Sequence, residues 1–320
     1  MAPDQSSSGG PAKQPSRTPG PPLRAVVLGG RGFLGRHIVA ELEGHGARVD
    51  VCGLEEGLDL ARTPQPEILA LFQDWVPDVL VNATGRTFGE AEELYRDNVV
   101  ATQRLLQCCA IAAPGVRLVH LGSAAEYGPS TYGIPVRPDD EPAPLGDYGQ
   151  AKLETTRVVL AAGQRGEVDP IVLRVFNPLG AGQPPSTMPG NVAAQLARTP
   201  DGVVRVGRLD AYRDFIGATD VARAVLAAAL ADQVRPEHRL LNIGSGRATP
   251  IREVAVELIR LAGGRATLEE TDAGSQRSGA VSWQQADVSA TLQALGWSAR
   301  DDLSTCLAAV LSGARAAAPA

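Results

Sequence analysis

Tyr148 and Lys152, four positions apart in DYGQAKLETTR (147–157), are the pair in this chain best suited to moving a proton. The run reads as the start of a helix. At ~3.6 residues per turn the phenol and the ammonium leave one face, a turn apart. A phenol alone is a poor acid or base near neutrality, with a pKa of about 10. A neighbouring cation stabilises the phenolate and draws that value down, which suits a carbonyl/alcohol couple. Y-x-x-x-K also arises by chance, and a helical tyrosine often only packs, so the pair takes its meaning from what surrounds it. Upstream, the run VRLVHLGS (116–123) reads as a strand that ends on Ser123, 25 residues before Tyr148. A serine there either turns the chain or offers its hydroxyl to the oxygen that Tyr148 would protonate.

The elements that position these residues alternate between strand and helix. LRAVVLGG (23–30) is a short apolar strand, and RGFLGRHIVAELEGHG (31–46) has helical apolar spacing. Their junction sets Gly29, Gly32 and Gly35 in G-x-x-G-x-x-G spacing. Small residues there let the turn close, let a pyrophosphate approach backbone N–H groups and let the helix pack on the sheet. A Gly-rich turn without a ligand is the plainer reading. The next strand, ARVDVCG, ends at Gly53, where a dinucleotide-binding strand usually carries an acid for the ribose hydroxyls. Arg31 lies inside the glycine loop and Arg36 follows it. A guanidinium there favours a 2′-phosphate and hence NADP(H), with NAD(H) the alternative and a solvent-facing arginine the bland one.

A helix over 66–75 and PDVLVNATG (77–85) make a third unit, with Ala83, Thr84 and Gly85 at its carboxyl edge. A helical stretch over 90–113 precedes the strand of Ser123. DPIVLRVFNPLG (169–180) is a further strand, and AGQPPSTMPG after it is a long loop suited to a lid. Beyond it the spacing predicts a helix over 191–197, a basic turn with Arg208 and Arg213, and a helix begun by Thr219 or Asp220. Then come a strand LLNIGSG, a helix with Thr249 as cap and Pro250 first, a polar loop with Arg277, and a last helix over 299–311. The alternation predicts an α/β fold with a doubly wound parallel sheet and a smaller C-terminal lobe. The expected division is a disordered tail (1–22), a dinucleotide-binding domain (23–180), a substrate lobe (181–312) with segments able to return to the main sheet, and a frayed end (313–320).

With 320 residues the chain can bury a large core, and at 44% hydrophobic but only 4% aromatic residues that core must be aliphatic. A net charge of −6 argues against nucleic acid as a partner. The four cysteines and four histidines show no ligand spacing, so no metal site is expected. No apolar run resembles a signal peptide core or reaches the ~20 residues that cross a bilayer, so no membrane association and cytoplasmic residence are expected.

Taken in order, GGRGFLG (29–35), NATG (82–85), DNV (97–99), GSAAEYG (122–128), YGQAK (148–152), RVFNPLG (174–180), RDF (213–215) and NIGSGRATPIREV (242–254) resemble the extended short-chain dehydrogenase/reductase family of nucleotide-sugar epimerases, dehydratases and reductases. The resemblance spans roughly residues 23–311 and implies a Rossmann-type sheet. It implies that Ser123, Tyr148 and Lys152 are catalytic, and that Lys152 also holds the nicotinamide ribose. It implies cofactor contacts from Gly29, Arg31, Gly32, Phe33, Leu34, Gly35, Asp59, Leu60, Ala83, Thr84, Gly85 and Asn98. Asn177, Gln183, Arg213 and Arg277, with Ser123, fall on the side of a nucleotide-diphosphate sugar. Two helical stretches, 91–113 and 148–162, match those that pair in family dimers, so a homodimer is expected.

Absences narrow the type. The 4,6-dehydratases place an Asp-Glu pair after the serine, where this chain has Ala124 and Ala125. The GDP-fucose synthase type uses a Cys and a His, matched here by Ala125 and Gly182, although it shares the loop arginine and the Asp59-Leu60 element. The resemblance is strongest to the GDP-4-keto-6-deoxymannose reductase type, through FNxxGxGQ (176–183) and VGxLDAxRDF (206–215). The implied reaction is NAD(P)H-dependent reduction of the 4-keto group of a nucleotide-linked 4-keto-6-deoxyhexose. A 4-epimerase retaining NAD and a non-catalytic dinucleotide or nucleotide-sugar sensor are the alternatives.

Overall fold

The structure, a computed structural model, describes residues 21–271 and 281–317; most of the expected N-terminal tail and Arg277 lie outside the described residues. The first half alternates as the apolar pattern requires: β1 (Arg24–Leu28), α1 (Phe33–Gly44), β2 (Arg48–Cys52), α2 (Gln65–Trp75), β3 (Val79–Asn82), α3 (Ala91–Tyr95), α4 (Ala101–Ala112), β4 (Arg117–Ser123), α5 (Asp147–Gln164) and β5 (Asp169–Val175). The second half supplies β6 (Asn177–Leu179), α6 (Met188–Arg198), β7 (Val203–Val206), β8 (Tyr212–Gly217), α7 (Ala218–Leu230), β9 (Leu240–Ile243), β10 (Ala248–Pro250), α8 (Ile251–Leu261), β11 (Thr267–Glu270), α9 (Ser289–Leu295) and α10 (Leu303–Ala317).

Six strands form one parallel sheet in the order β2-β1-β3-β4-β5-β9. Strand side chains alternate between its faces, and both are dry. Val27, Val81, Val119 and Leu121 join Ile38 of α1 and Val221 and Val225 of α7 on one face. Val26, Leu80 and Leu118 join Phe72 of α2, Leu105 of α4 and Val159 of α5 on the other. This is the doubly wound Rossmann-type arrangement. A third core gathers α6, α8 and α10 around Leu179, Val204, Leu258 and Leu307. It lies beside a three-stranded sheet, β10-β8-β6, and the pair β11-β7. Because β9 returns to the main sheet, the small lobe is not one continuous stretch of chain.

Several boundaries differ from the sequence pattern for local reasons. The stretch over 90–113 is interrupted by a π-helical turn at Arg96–Val100. Helix α6 starts at Met188 because Thr187 caps it, its hydroxyl accepting from the Gly190 N–H. Thr249 does not cap α8. It pairs with Arg213 in the β10–β8 ladder, so the helix starts at Ile251 and Pro250 precedes it. The last helix begins only at Leu303 and runs through Gly313 to Ala317, part of the stretch expected to fray. Gly313 stays helical because it is a contact point. A Cβ there would lie 2.7 Å from the Gly182 nitrogen, so the missing side chain lets α10 close on the turn after β6.

The turn between β1 and α1 leaves no room for a side chain. A Cβ on Gly35 would stand 2.0 Å from the Gly29 carbonyl oxygen and 2.7 Å from Gly30 Cα. Gly35→Ala is therefore expected to cost about 1–3 kcal/mol of stability, the range for overpacking. Gly44→Ala, at the other end of the same helix, meets open space and is expected to add a few tenths to ~1 kcal/mol. Urea melts of the two variants check this, and equal responses would contradict the tight turn.

Candidate active site

Strand β4 is central in the sheet, between β3 and β5, and carries Ser123 to its carboxyl edge. That edge is where open parallel sheets bind ligands. Ser123 caps a short turn: its Oγ accepts from the Ala125 N–H at 3.2 Å, and its own N–H donates to Glu126 Oε1 at 2.7 Å. With Oγ used as an acceptor, the hydroxyl hydrogen is left for another oxygen. Helix α5 comes up against this turn at Gly149, where a Cβ would stand 2.7 Å from the Ala125 carbonyl oxygen. Tyr148, half-buried at the start of that helix, lines the same cleft of about 1360 Å³ as Ser123.

Lys152 sits one turn deeper, 5% exposed, and its Nζ donates to the Leu121 carbonyl oxygen at 2.6 Å. Burial draws its pKa down to about 8, opposed by the negative charge of Glu126. His120, two residues before Gly122, is buried and held well below its ordinary pKa by burial and by the Lys152 cation. It is neutral, so Lys152 supplies the positive charge under the cleft.

The glycine loop forms the second part of the site. Gly29 takes φ +76° and donates to the Cys52 carbonyl oxygen at 2.7 Å, and a Cβ there would meet the Ala83 oxygen at 3.0 Å. Gly32 precedes α1 without a side-chain cap, Phe33 and Leu34 open the helix, and its first turn holds no acid. These N–H groups and the missing side chains fit a pyrophosphate. Across the crevice between β1 and β3, Ala83, Thr84 and Gly85 follow β3. Gly85 has φ +145°, and a Cβ on it would lie 2.6 Å from Asn98 Oδ1. Asn98 is held in the π-helical turn by donating to the Leu94 and Arg86 carbonyls at 2.8 and 3.0 Å. Its Oδ1 is buried with no partner among the described residues. Leu60 is buried, while the Asp59 carboxylate accepts from the Ala61 N–H at 2.9 Å and from Arg62 at 2.6 Å.

Arg31 is exposed but not without partners. It is ion-paired with Glu56 and lies 3.5 Å from Glu55, both in the turn after β2. Gly53 itself offers no acid, yet the Glu56 carboxylate reaches within 3.6 Å of where a Gly53 Cβ would be. An acid three residues farther along therefore reaches the end of β2, a placement that strand alignment alone misses.

Of the residues expected on the substrate side, Asn177 and Arg213 line the cleft with Ser123 and Tyr148. Asn177 donates to the Asp214 carbonyl oxygen at 2.8 Å. Arg213 is 5% exposed, and burial draws its pKa down to about 10. Its neighbour Asp214, fully buried, accepts from the N–H groups of Ser245, Gly246 and Ala286, which pins two loops behind it. Gln183 turns instead to Thr187, donating to its hydroxyl at 3.0 Å, and is not among the described residues lining the cleft. The cleft also takes in Arg208 of the expected basic turn, and Thr87, Met188, Asn191 and Arg205, which the sequence motifs do not single out. Among the described residues no three His, Cys, Asp or Glu side chains cluster as metal ligands, and no helix is long and apolar enough to cross a membrane.

The chain resembles known proteins over most of its length. A family model described as the NAD dependent epimerase/dehydratase family matches residues 25–244. The chain is 37% identical over 297 residues to a dTDP-6-deoxy-L-talose 4-dehydrogenase (NAD(P)(+)) of Kitasatospora kifunensis, covering 88% of this chain and 92% of that one. It is 27% identical to a GDP-6-deoxy-D-mannose reductase of Pseudomonas aeruginosa (74% and 79% covered) and 27% identical to a UDP-glucose 4-epimerase of Neisseria meningitidis (87% and 93%). Among solved structures, RMD from Pseudomonas aeruginosa complexed with NADPH superposes with TM-score 0.81 at 22% identity, over 92% of this chain and 99% of that one. MoeE5 in complex with UDP-glucuronic acid and NAD gives 0.78 at 29% identity, over 92% and 99%.

The buried ammonium has a stability consequence. The native pKa of Lys152, about 8, lies below its unfolded value of 10.5, so below pH 8 the folded state bears the cost of a buried cation. Between pH 8 and 10.5 the unfolded chain binds the extra proton, and that cost fades as pH rises. Lys152→Met is expected to be more stable than the parent by about 1–3 kcal/mol at pH 7 while losing turnover. The gain should shrink toward pH 10. Melts across that pH range check the sign, and a Met variant less stable at pH 7 than at pH 10, relative to the parent, would contradict it.

Proposed function

Because the chain belongs to the NAD dependent epimerase/dehydratase family, we propose that it reduces the 4-keto group of a nucleotide-linked 4-keto-6-deoxyhexose with NAD(P)H. The observation that carries this reading is the meeting of Ser123 and Tyr148 on one cleft, with the Lys152 ammonium buried a turn below and Arg213 on the cleft wall. In this reading Tyr148 donates a proton to the sugar oxygen, and the Ser123 hydroxyl donates a hydrogen bond to the same atom. The positive charge of Lys152 favours the phenolate that Tyr148 leaves behind. Both donors gain strength as negative charge develops on the oxygen, so they stabilise the transition state more than the ketone. The nicotinamide, when bound, supplies the hydride. Arg213, drawn out of water, is a strong partner for the sugar diphosphate.

The 37%-identical relative is named for oxidoreduction at C4 of a dTDP-linked 6-deoxy sugar, which supports both the position of the reaction and dTDP as the nucleotide. For the cofactor, NADP(H) is favoured through Arg31, which must turn from Glu56 to meet a 2′-phosphate. With Arg31 left in place, the Glu56 carboxylate is positioned to accept ribose hydroxyls, so NAD(H) is usable. The UDP-glucose 4-epimerase relative favours a second reading, in which the same trio oxidises and re-reduces C4 with retained NAD.

Parallel incubations with NADPH and NADH separate the two. Against dTDP-, GDP-, UDP- and CDP-linked 4-keto-6-deoxy sugars, the expected result is stoichiometric loss of the reduced-nicotinamide absorbance with one of them, from protein purified with little bound nucleotide. Tyr148→Phe should bind cofactor normally and turn over ~10²-fold more slowly, the usual scale for proton transfer. Exchange of 4-hydroxy epimers without net cofactor use would give the epimerase reading instead. Cofactor binding without turnover of any sugar would leave a sensor.

A further inference from the structure

Glu126 is fully buried behind the cleft, and both oxygens of its carboxylate are used. Oε1 accepts from the Ser123 N–H at 2.7 Å, and Oε2 accepts from Arg174 Nε at 2.7 Å. Arg174 is itself 2% exposed. It donates to the Pro138 carbonyl oxygen at 3.2 Å, and its guanidinium lies 4.4 Å above the Tyr127 ring. Tyr127 is anchored in turn by donating its hydroxyl to Asn242 Oδ1 at 2.6 Å. The register of the sheet sets Arg174 of β5 directly across from Gly122 of β4. A Cβ on Gly122 would lie 2.7 Å from Glu126 Oε1, so the glycine leaves the room through which the carboxylate reaches the strand end.

A buried ion pair of this kind adds little to stability compared with an apolar pair of the same shape. What it adds here is a fixed point. The Ser123 N–H is tied to Glu126, and Ser123 Oγ is tied to the Ala125 N–H, so backbone and side chain are both set. We propose that Glu126 is a positioning residue, which, braced by Arg174, holds Ser123 so that its hydroxyl hydrogen faces the sugar oxygen. Glu126 does not line the cleft, and it acts through Ser123. The proposal rests on the reading of Ser123 as the donor to that oxygen. Its charge has a second effect, since it is the negative group that offsets the buried Lys152 ammonium.

The test is a double-mutant cycle with Ser123, because whatever Glu126 does through Ser123 is lost once that hydroxyl is gone. Glu126→Asp keeps the charge opposite Arg174 and hence the ion pair. It is one methylene too short to reach both Arg174 and the Ser123 N–H. Kinetic constants for the keto-sugar, cofactor Kd and Tm are measured with Ser123 and with Ser123→Ala, under single-turnover conditions with enzyme in excess. With Ser123 present, Glu126→Asp is expected to lower the rate ~10-fold or more, as a displacement of well under 1 Å does at a reacting centre. KM and cofactor Kd should change less than about twofold. In the Ser123→Ala background the same change should cost less than about twofold. Glu126→Gln keeps the length and an oxygen for the Ser123 N–H but drops the charge that offsets Lys152, so its loss in the Ser123→Ala background reports that charge alone, and its greater loss with Ser123 present carries the cycle if the Asp variant fails to fold. Equal losses in both backgrounds, or a lowered Tm with unchanged turnover, would overturn the positioning role. Undiminished turnover by Ser123→Ala alone would instead remove the role given to Ser123.

Discussion

An ammonium sealed beneath the end of a strand is the constraint around which this cleft is arranged. Lys152 is a lysine with almost no contact with water, and its Nζ donates to one backbone carbonyl, that of Leu121. Keeping it charged requires a compensating anion nearby and no competing cation beside it. Glu126 supplies the anion, and His120, held neutral by burial, does not add to the positive charge. The arrangement costs stability at neutral pH, which is the usual direction of exchange between a functional site and the fold that carries it.

Backbone approach sets the geometry above that charge. Gly149 lets α5 touch the turn after β4, Gly122 lets a carboxylate cross the strand end, and Gly35 lets α1 close on the loop of Gly29. Each lies where a methyl group would meet backbone or a buried side chain at under 3 Å. The two halves of the proposed site, the crevice between β1 and β3 and the corner at β4 and α5, are thereby held on one sheet edge. The small lobe brings Arg213 to the same cleft through β8, whose next residue, Asp214, ties down the loops behind it.

Much of this was legible in the sequence because it depends on local patterns. Alternating apolar runs specify the strands, glycine spacing specifies the first turn, and helical spacing puts Tyr148 and Lys152 on one face. What escaped depends on contacts between distant segments. Glu126 and Arg174 are 48 residues apart and meet only through the β4–β5 register. Glu56 reaches the place that alignment leaves empty at Gly53, and it engages Arg31, a residue whose type alone pointed to a 2′-phosphate. Gly313 opens the stretch expected to fray, yet it is a packing contact for the turn at Gly182. Gln183, expected on the substrate side, turns to Thr187 because a hydroxyl lies within its reach there.

The central claim is that one hydride enters the sugar at C4 while Tyr148 protonates the neighbouring oxygen. It is tested most directly with NADPH carrying deuterium at the transferable position of the nicotinamide, incubated with the keto-sugar that the protein turns over. The account predicts one deuterium at C4 of the product, seen by NMR, with one oxidised cofactor released per sugar. Deuterium at another carbon, or a C4 product without deuterium and with no cofactor released, would contradict it.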